Sequence, residues 1–162
     1  MAWTKDRLEE GARARLAGAK LVVVSTREPF IPVRDEEGIR CRTPASGLTT
    51  ALAPVMAACN GTWVAHGSGD ADRDVAGPDG RVGVPPHDPT YTLRRVWLTK
   101  DEEEGYYYGF ANSTLWPLCH QVYQRPTFHS AHWRAYLDVN RKFARAVLEE
   151  AAGEPALVFV QD

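Results

Sequence analysis

Lys20-Leu21-Val22-Val23-Val24-Ser25-Thr26-Arg27 is the stretch that decides the fold. Its four consecutive apolar residues, three of them β-branched, leave no polar position to face water. A short run of that kind predicts a strand covered on both faces, as inside a parallel sheet. Parallel strands need crossover connections, and helical segments further along the chain can supply them.

Upstream, Thr4 to Leu16 is rich in helix formers, and Gly18 ends the helix it predicts. Downstream, Pro29 and Pro32 break regular structure, and Ile31 to Thr43 predicts a hairpin turning at Glu36-Glu37-Gly38. Gly47 to Cys59 carries Leu48, Ala51, Leu52, Val55 and Met56 at helical spacing, with Pro54 expected to kink or shorten the helix. Thr62 to His66 is a second strand and Leu93 to Leu98 a third. Between them, Gly67 to Pro89 reads as a Gly-, Asp- and Pro-rich loop with one short strand near Val82 to Val84. Thr99 with Glu102 forms a capping-box pattern. Ser130 to Glu150 is the longest helix, expected to bury Trp133, Leu137, Phe143, Val147 and Leu148. Pro155 precedes a last strand, Ala156 to Val160. Strands alternating with helices give an α/β layered fold.

At 162 residues the chain has the length of one domain and can build a core without metal or disulfides. Nineteen basic against 21 acidic residues leave no broad basic face, which argues against nucleic acid or a membrane surface as partner. Any anion site is therefore local. Three scattered cysteines, Cys41, Cys59 and Cys119, without a CxxC pair, read as reduced thiols in a cytoplasmic protein. No secretory signal and no apolar run near the ~20 residues of a membrane span is present. The chain stops at Gln161-Asp162, directly after a strand, where ligand-binding residues of open α/β sheets gather; this reads as a truncated domain.

Several segments can carry chemistry. Arg27, at the carboxyl end of the first strand, offers a guanidinium fork for a phosphate, or simply pairs with its neighbour Glu28. Ser46-Gly47-Leu48 opens a helix, so that Gly47 lets a diphosphate approach free N–H groups, or Ser46 is an ordinary N-cap. Tyr106 to His120 is dense in aromatics that can pack on a sugar and hydrogen-bond its phosphate, or form a core cluster. Asp162 and His66 also follow strands. His129 and His132, three apart without a carboxylate partner, do not make a metal site, and HExxH, Walker, GxSxG and GxGxxG patterns are absent.

Taken in order, these pieces resemble the N-terminal half of glycosyltransferase family 20, the trehalose-6-phosphate synthases. The matching residues are Leu21 to Arg27, Ser46-Gly47-Leu48, Trp63, Tyr106-Tyr107 through Phe110, Asn112, Leu115-Trp116-Pro117, His120, Trp133, Tyr136, Val139-Asn140, Phe143-Ala144 and Val158 to Asp162. The resemblance implies a GT-B architecture of two Rossmann-like domains. Residues 20–162 would be the acceptor-binding domain, behind an N-terminal helical extension over 1–19. The implied reaction is retaining transfer of glucose from a nucleotide-glucose donor to glucose 6-phosphate, with no metal or other cofactor. Arg27, Tyr107 and Trp116 would contact the acceptor, Gly47 the donor diphosphate, and Asp162 an acceptor hydroxyl as the catalytic residue. His66 would be a substrate-binding residue on the acceptor side. The isolated 162 residues are then expected to bind acceptor weakly without turnover. Thr26, Ser46, His66 and Gln161 stand where the family pattern has Asn, Gly, Trp and His. The alternatives are a non-catalytic sugar-phosphate-binding module and a pseudo-glycosyltransferase acting on a cyclitol phosphate. Self-association into a homo-oligomer is left open.

Overall fold

The computed structural model describes residues 4–120 and 123–161. Two compact units are present: Trp97–Arg145 forms one, and the remainder of the chain the other.

In the first unit, α1 (Lys5–Leu16) starts at Thr4, whose hydroxyl accepts the Arg7 N–H, and ends as Ala17 and Gly18 turn left-handed at φ 48° and 90°. Strand β1 (Lys20–Ser25) follows. Strands β2 (Ile31–Asp35) and β3 (Gly38–Arg42) form the expected antiparallel hairpin as a separate sheet, with Asp35 paired to Gly38. Helix α2 (Gly47–Cys59) runs through Pro54 to its full expected length. Asn60, left-handed at φ 47°, ends it, and Gly61 then passes so close to β1 that a Cβ would meet the Leu21 carbonyl oxygen at 2.8 Å. Strand β4 (Thr62–His66), short helix α3 (Asp72–Val75), β5 (Arg81–Val84) and β6 (Tyr91–Val96) complete this half of the sheet. The Gly67 to Pro89 stretch thus contains a helix that its Asp-rich composition concealed, and β6 begins and ends two residues earlier than its apolar run suggested.

The sheet order is β5-β6-β4-β1-β7, where β7 is Ala156–Val160. β1, β4, β6 and β7 are parallel, and β5 is an antiparallel edge. From β1 the chain steps outward through β4 to β6, then returns to place β7 on the opposite side of β1. Leu21 through Ser25 are all buried, as a doubly covered strand requires. Leu21, Val23, Met56, Trp63, Ala65, Tyr91 and Leu93 form the core, with Leu16, Leu48, Leu52 and Val55 packed against it. On β7, by contrast, Leu157, Val158, Phe159 and Val160 remain 43–68% exposed.

In the second unit, α4 (Lys100–Glu103) carries the complete capping box: Thr99 Oγ1 accepts the Glu102 N–H, and Glu102 accepts the Thr99 N–H at 2.8 Å. A π-helical segment (Glu104–Leu115) and α5 (Trp116–His120) follow. The longest helix, α6 (Ser130–Ala151), starts in this unit, and from Ala146 onward it belongs to the first. Its buried stripe is Val139, Phe143 and Ala146. Leu148 and Trp133, expected on that stripe, are 70% and 45% exposed. The next position along the stripe is Glu150, whose carboxylate takes Arg81 Nη2 at 2.8 Å and Arg94 Nε at 3.4 Å. Glu150, the counterion that two sheet arginines need, thus lies on the stripe where Leu148 was expected.

Candidate functional site

Open α/β sheets bind ligands beyond the carboxyl ends of their strands, where strand order reverses. Here the reversal falls between β1 and β7, and Gln161 N–H closes it with a 2.7 Å bond to the Val24 carbonyl. Thr26, Arg27 and Glu28 leave β1 at this point. Their backbone is held at two carbonyls. The Trp63 indole N–H donates to Ser25 Oγ at 2.8 Å, and Ser25 Oγ donates in turn to the Arg27 carbonyl at 2.6 Å. His66 N–H donates to the Thr26 carbonyl at 3.2 Å.

Glu28 does not pair with Arg27. Its carboxylate is buried, at 1% exposure, and receives Arg95 Nε at 2.9 Å. The other oxygen accepts Ser68 N–H at 3.0 Å and Ser68 Oγ–H at 3.1 Å. Arg95 also reaches Asp72 at 3.0 Å and the Phe30 carbonyl at 3.3 Å. Asp72 in turn accepts Gly69 N–H at 2.7 Å. Burial, then the charge and hydrogen bond of Glu28, push the Asp72 carboxyl up to about 7 against the opposing pull of Arg95. With Glu28 committed inward, the exposed Arg27 guanidinium has no hydrogen bond or ion pair among the described residues. A fixed backbone bearing one uncommitted guanidinium is pre-organised for an oxyanion.

His66 ends β4, adjacent to this point, but its ring is buried and its Nδ1–H points to the Val96 carbonyl oxygen at 3.2 Å. That bond fixes the ring between two strands and leaves only Nε2 for other partners. Gly47 opens α2, the crossover from the hairpin to β4. Because α2 ends at the amino end of β4, its start lies at the carboxyl end of the sheet, the same end as Arg27. A Cβ at Gly47 would meet nothing within 4 Å, so packing does not demand glycine there. Ser46 is the N-cap by position, yet its side chain makes no capping bond.

Tyr107 and Trp116 belong to the second unit, whereas Arg27, Gly47 and His66 belong to the first. The aromatic-rich stretch divides in two. Tyr106 and Phe110 pack with Trp133 and Tyr136 at ring-centroid distances of 4.7–5.8 Å, an aromatic cluster that is only partly buried. Tyr107 meets only the edge of Tyr108, at 5.1 Å, among the described rings. Trp116 is 47% exposed and stacks on His120 at 4.5 Å. Asp162 lies outside the described residues. Sequence reading missed Ser68, Asp72 and Arg95 as supports of the site. The available signal was Arg95 itself, a charge in a strand of a covered sheet, which demands a buried counterion.

Among the described residues, no cluster of three or more His, Cys, Asp or Glu side chains is arranged to hold a metal, and no helix is long and apolar enough to cross a membrane. The chain is 39% identical over 155 residues to a trehalose-6-phosphate synthase from Mycolicibacterium vanbaalenii, covering 95% of this chain and 31% of that one. Its fold matches an α,α-trehalose-phosphate synthase (UDP-forming) from Burkholderia vietnamiensis, with TM-score 0.61 and 26% identity over 89% of this chain and 27% of the other. It also matches the E. coli protein described as bound with UDP-2-fluoro glucose, with TM-score 0.56 and 27% identity over 81% of this chain and 25% of that one. The chain thus spans about 30% of the length of the curated relatives it matches. The model of glycosyltransferase family 20 matches residues 19–162, and the chain belongs to that family.

Proposed function

We propose that the chain supplies the acceptor side of a retaining glycosyltransferase that moves glucose from a nucleotide-glucose to glucose 6-phosphate, as in trehalose synthesis. One observation carries the reading: Arg27 presents a guanidinium with no partner among the described residues, from a backbone fixed on both sides, at the switch point of a parallel sheet. Arg27 grips the acceptor phosphate with its planar fork of donors. Gly47 leaves the start of α2 open to a diphosphate, whose charge its free N–H groups and dipole favour. Asp162, next in the chain after Gln161, accepts a hydrogen bond from an acceptor hydroxyl. His66 acts on the acceptor side through the shape of its strand end. Catalysis of this kind rests on positioning two substrates and on electrostatic stabilisation of the departing diphosphate.

Calorimetric titration of the 162-residue chain tests the reading, with glucose 6-phosphate, glucose and inorganic phosphate as ligands. Saturable binding of glucose 6-phosphate is expected, with weaker binding of phosphate and none of glucose, and without glucose transfer from nucleotide-glucose. Absence of glucose 6-phosphate binding, or equal binding of glucose, contradicts it.

A further inference from the structure

A strand inside a covered sheet offers a charge no water, yet β6 places Arg95 there at 1% exposure. Two carboxylates, Glu28 and Asp72, share this one guanidinium, and Arg95 Nη1 is buried without a partner. Three ionisable side chains in such a place are a poor source of stability. Apolar residues of similar volume serve a core equally well or better. Apolar side chains, however, make no hydrogen bonds to a neighbouring backbone, and this cluster makes several. Glu28 takes both Ser68 N–H and Ser68 Oγ–H, and Asp72 takes Gly69 N–H. One carboxylate therefore ties the segment after β1, the loop after β4, and β6 into a single arrangement. The loop is fitted closely as well: a Cβ on Gly69 would lie 2.5 Å from the Pro32 carbonyl oxygen and 3.0 Å from Asp72 Oδ1. Glu28 directly follows Arg27, so anchoring Glu28 also fixes the point from which the Arg27 side chain departs.

We propose that Glu28, held by Arg95 and Asp72, is a positioning residue for acceptor binding, setting where Arg27 and the Gly67–Gly69 loop meet the sugar phosphate. The inference rests on the function proposed above. It adds residues that touch no ligand themselves and act through Arg27 and the loop.

The test is calorimetric affinity for glucose 6-phosphate in the 162-residue chain, beside circular dichroism and thermal unfolding of each variant. Glu28→Ala releases Ser68 while leaving Arg95 one carboxylate, Asp72, as counterion. It should retain cooperative unfolding and bind about tenfold more weakly or worse. Glu28→Gln keeps an oxygen that accepts from Ser68 and should restore affinity to within about threefold of the original. Gly69→Ala displaces the same loop from its other side and should also weaken binding by about tenfold. It carries the test if Glu28→Ala does not fold. Undiminished affinity in Glu28→Ala, or in Gly69→Ala where Glu28→Ala fails to fold, overturns the inference. So does a Glu28→Gln variant as weak as Glu28→Ala, because the charge and not the placement would then matter. If the original chain shows no saturable binding, the proposed function falls and takes this inference with it. If it binds and the variants bind equally well, only the inference falls.

Discussion

Asp72 and Glu28 are two buried acids beside a single guanidinium. Desolvation first, and then Glu28, raise the Asp72 carboxyl from 3.8 to about 7. The folded chain therefore holds a proton that the unfolded chain releases near pH 4. Stability falls as pH rises through the interval from about 4 to about 7, and the penalty is complete above it. The groups facing Asp72 are Glu28, Arg95 and the Gly69 N–H, and Cys41 senses the charges of Arg95, Glu28 and Asp72. The melting temperature should be higher near pH 5.5 than near pH 8. In Asp72→Asn, which stays neutral throughout, that difference should shrink; an unchanged difference assigns it to other groups. The same cluster shows what sequence reading can miss at a single position. Glu28 beside Arg27 looks like half of a surface ion pair, and only the pairing of β1, β4 and β6 reveals Arg95 as its partner. Arg27 stood out in the sequence because it comes just after the apolar run of β1, and the structure leaves it exposed there. Asp72 was hidden in a run of acids and glycines that resembles a solvated loop.

Elements with a dominant local signal were plain in the sequence. Four contiguous apolar residues located β1, the Thr99–Glu102 box located α4, and the hairpin turn fell at Glu36-Glu37-Gly38. The π-helical segment was not legible, because its residue types favour an α-helix equally and its widened turn answers to packing. Gly105 and Gly109 show that packing: a Cβ at Gly105 would lie 2.7 Å from Ala135 Cβ on α6, and one at Gly109 would lie 2.5 Å from the His132 ring. Ala135 has no flexible end to move aside, so Gly105→Ala forces the two helical segments apart. It should destabilise the second unit by about 1–3 kcal/mol, read as a lower denaturant midpoint with little change in slope. No loss of stability would mean that the close approach of the two segments is not required. The exposed apolar face of β7 was likewise invisible beforehand, since Ala156-Leu157-Val158-Phe159-Val160 reads as a buried strand.

At the scale of the molecule, the class of fold followed from the alternation of strands and helices, but the strand order did not. Nothing local to Ala156–Val160 says that it joins β1 on the side opposite β4. That single long-range pairing creates the switch point beside which Arg27 lies. Family membership extends over residues 19–162 and therefore includes Arg27, Gly47, His66, Tyr107, Trp116 and Asp162 alike. In the proposed function the switch-point guanidinium holds the acceptor phosphate. Affinity for glucose 6-phosphate in Arg27→Ala and Arg27→Lys, relative to the unaltered chain, tests it most directly. A charge-assisted forked contact predicts a loss of about tenfold or more for Ala, with Lys intermediate because a point charge replaces the fork. An Arg27→Ala chain that binds glucose 6-phosphate as tightly as the original would contradict the account.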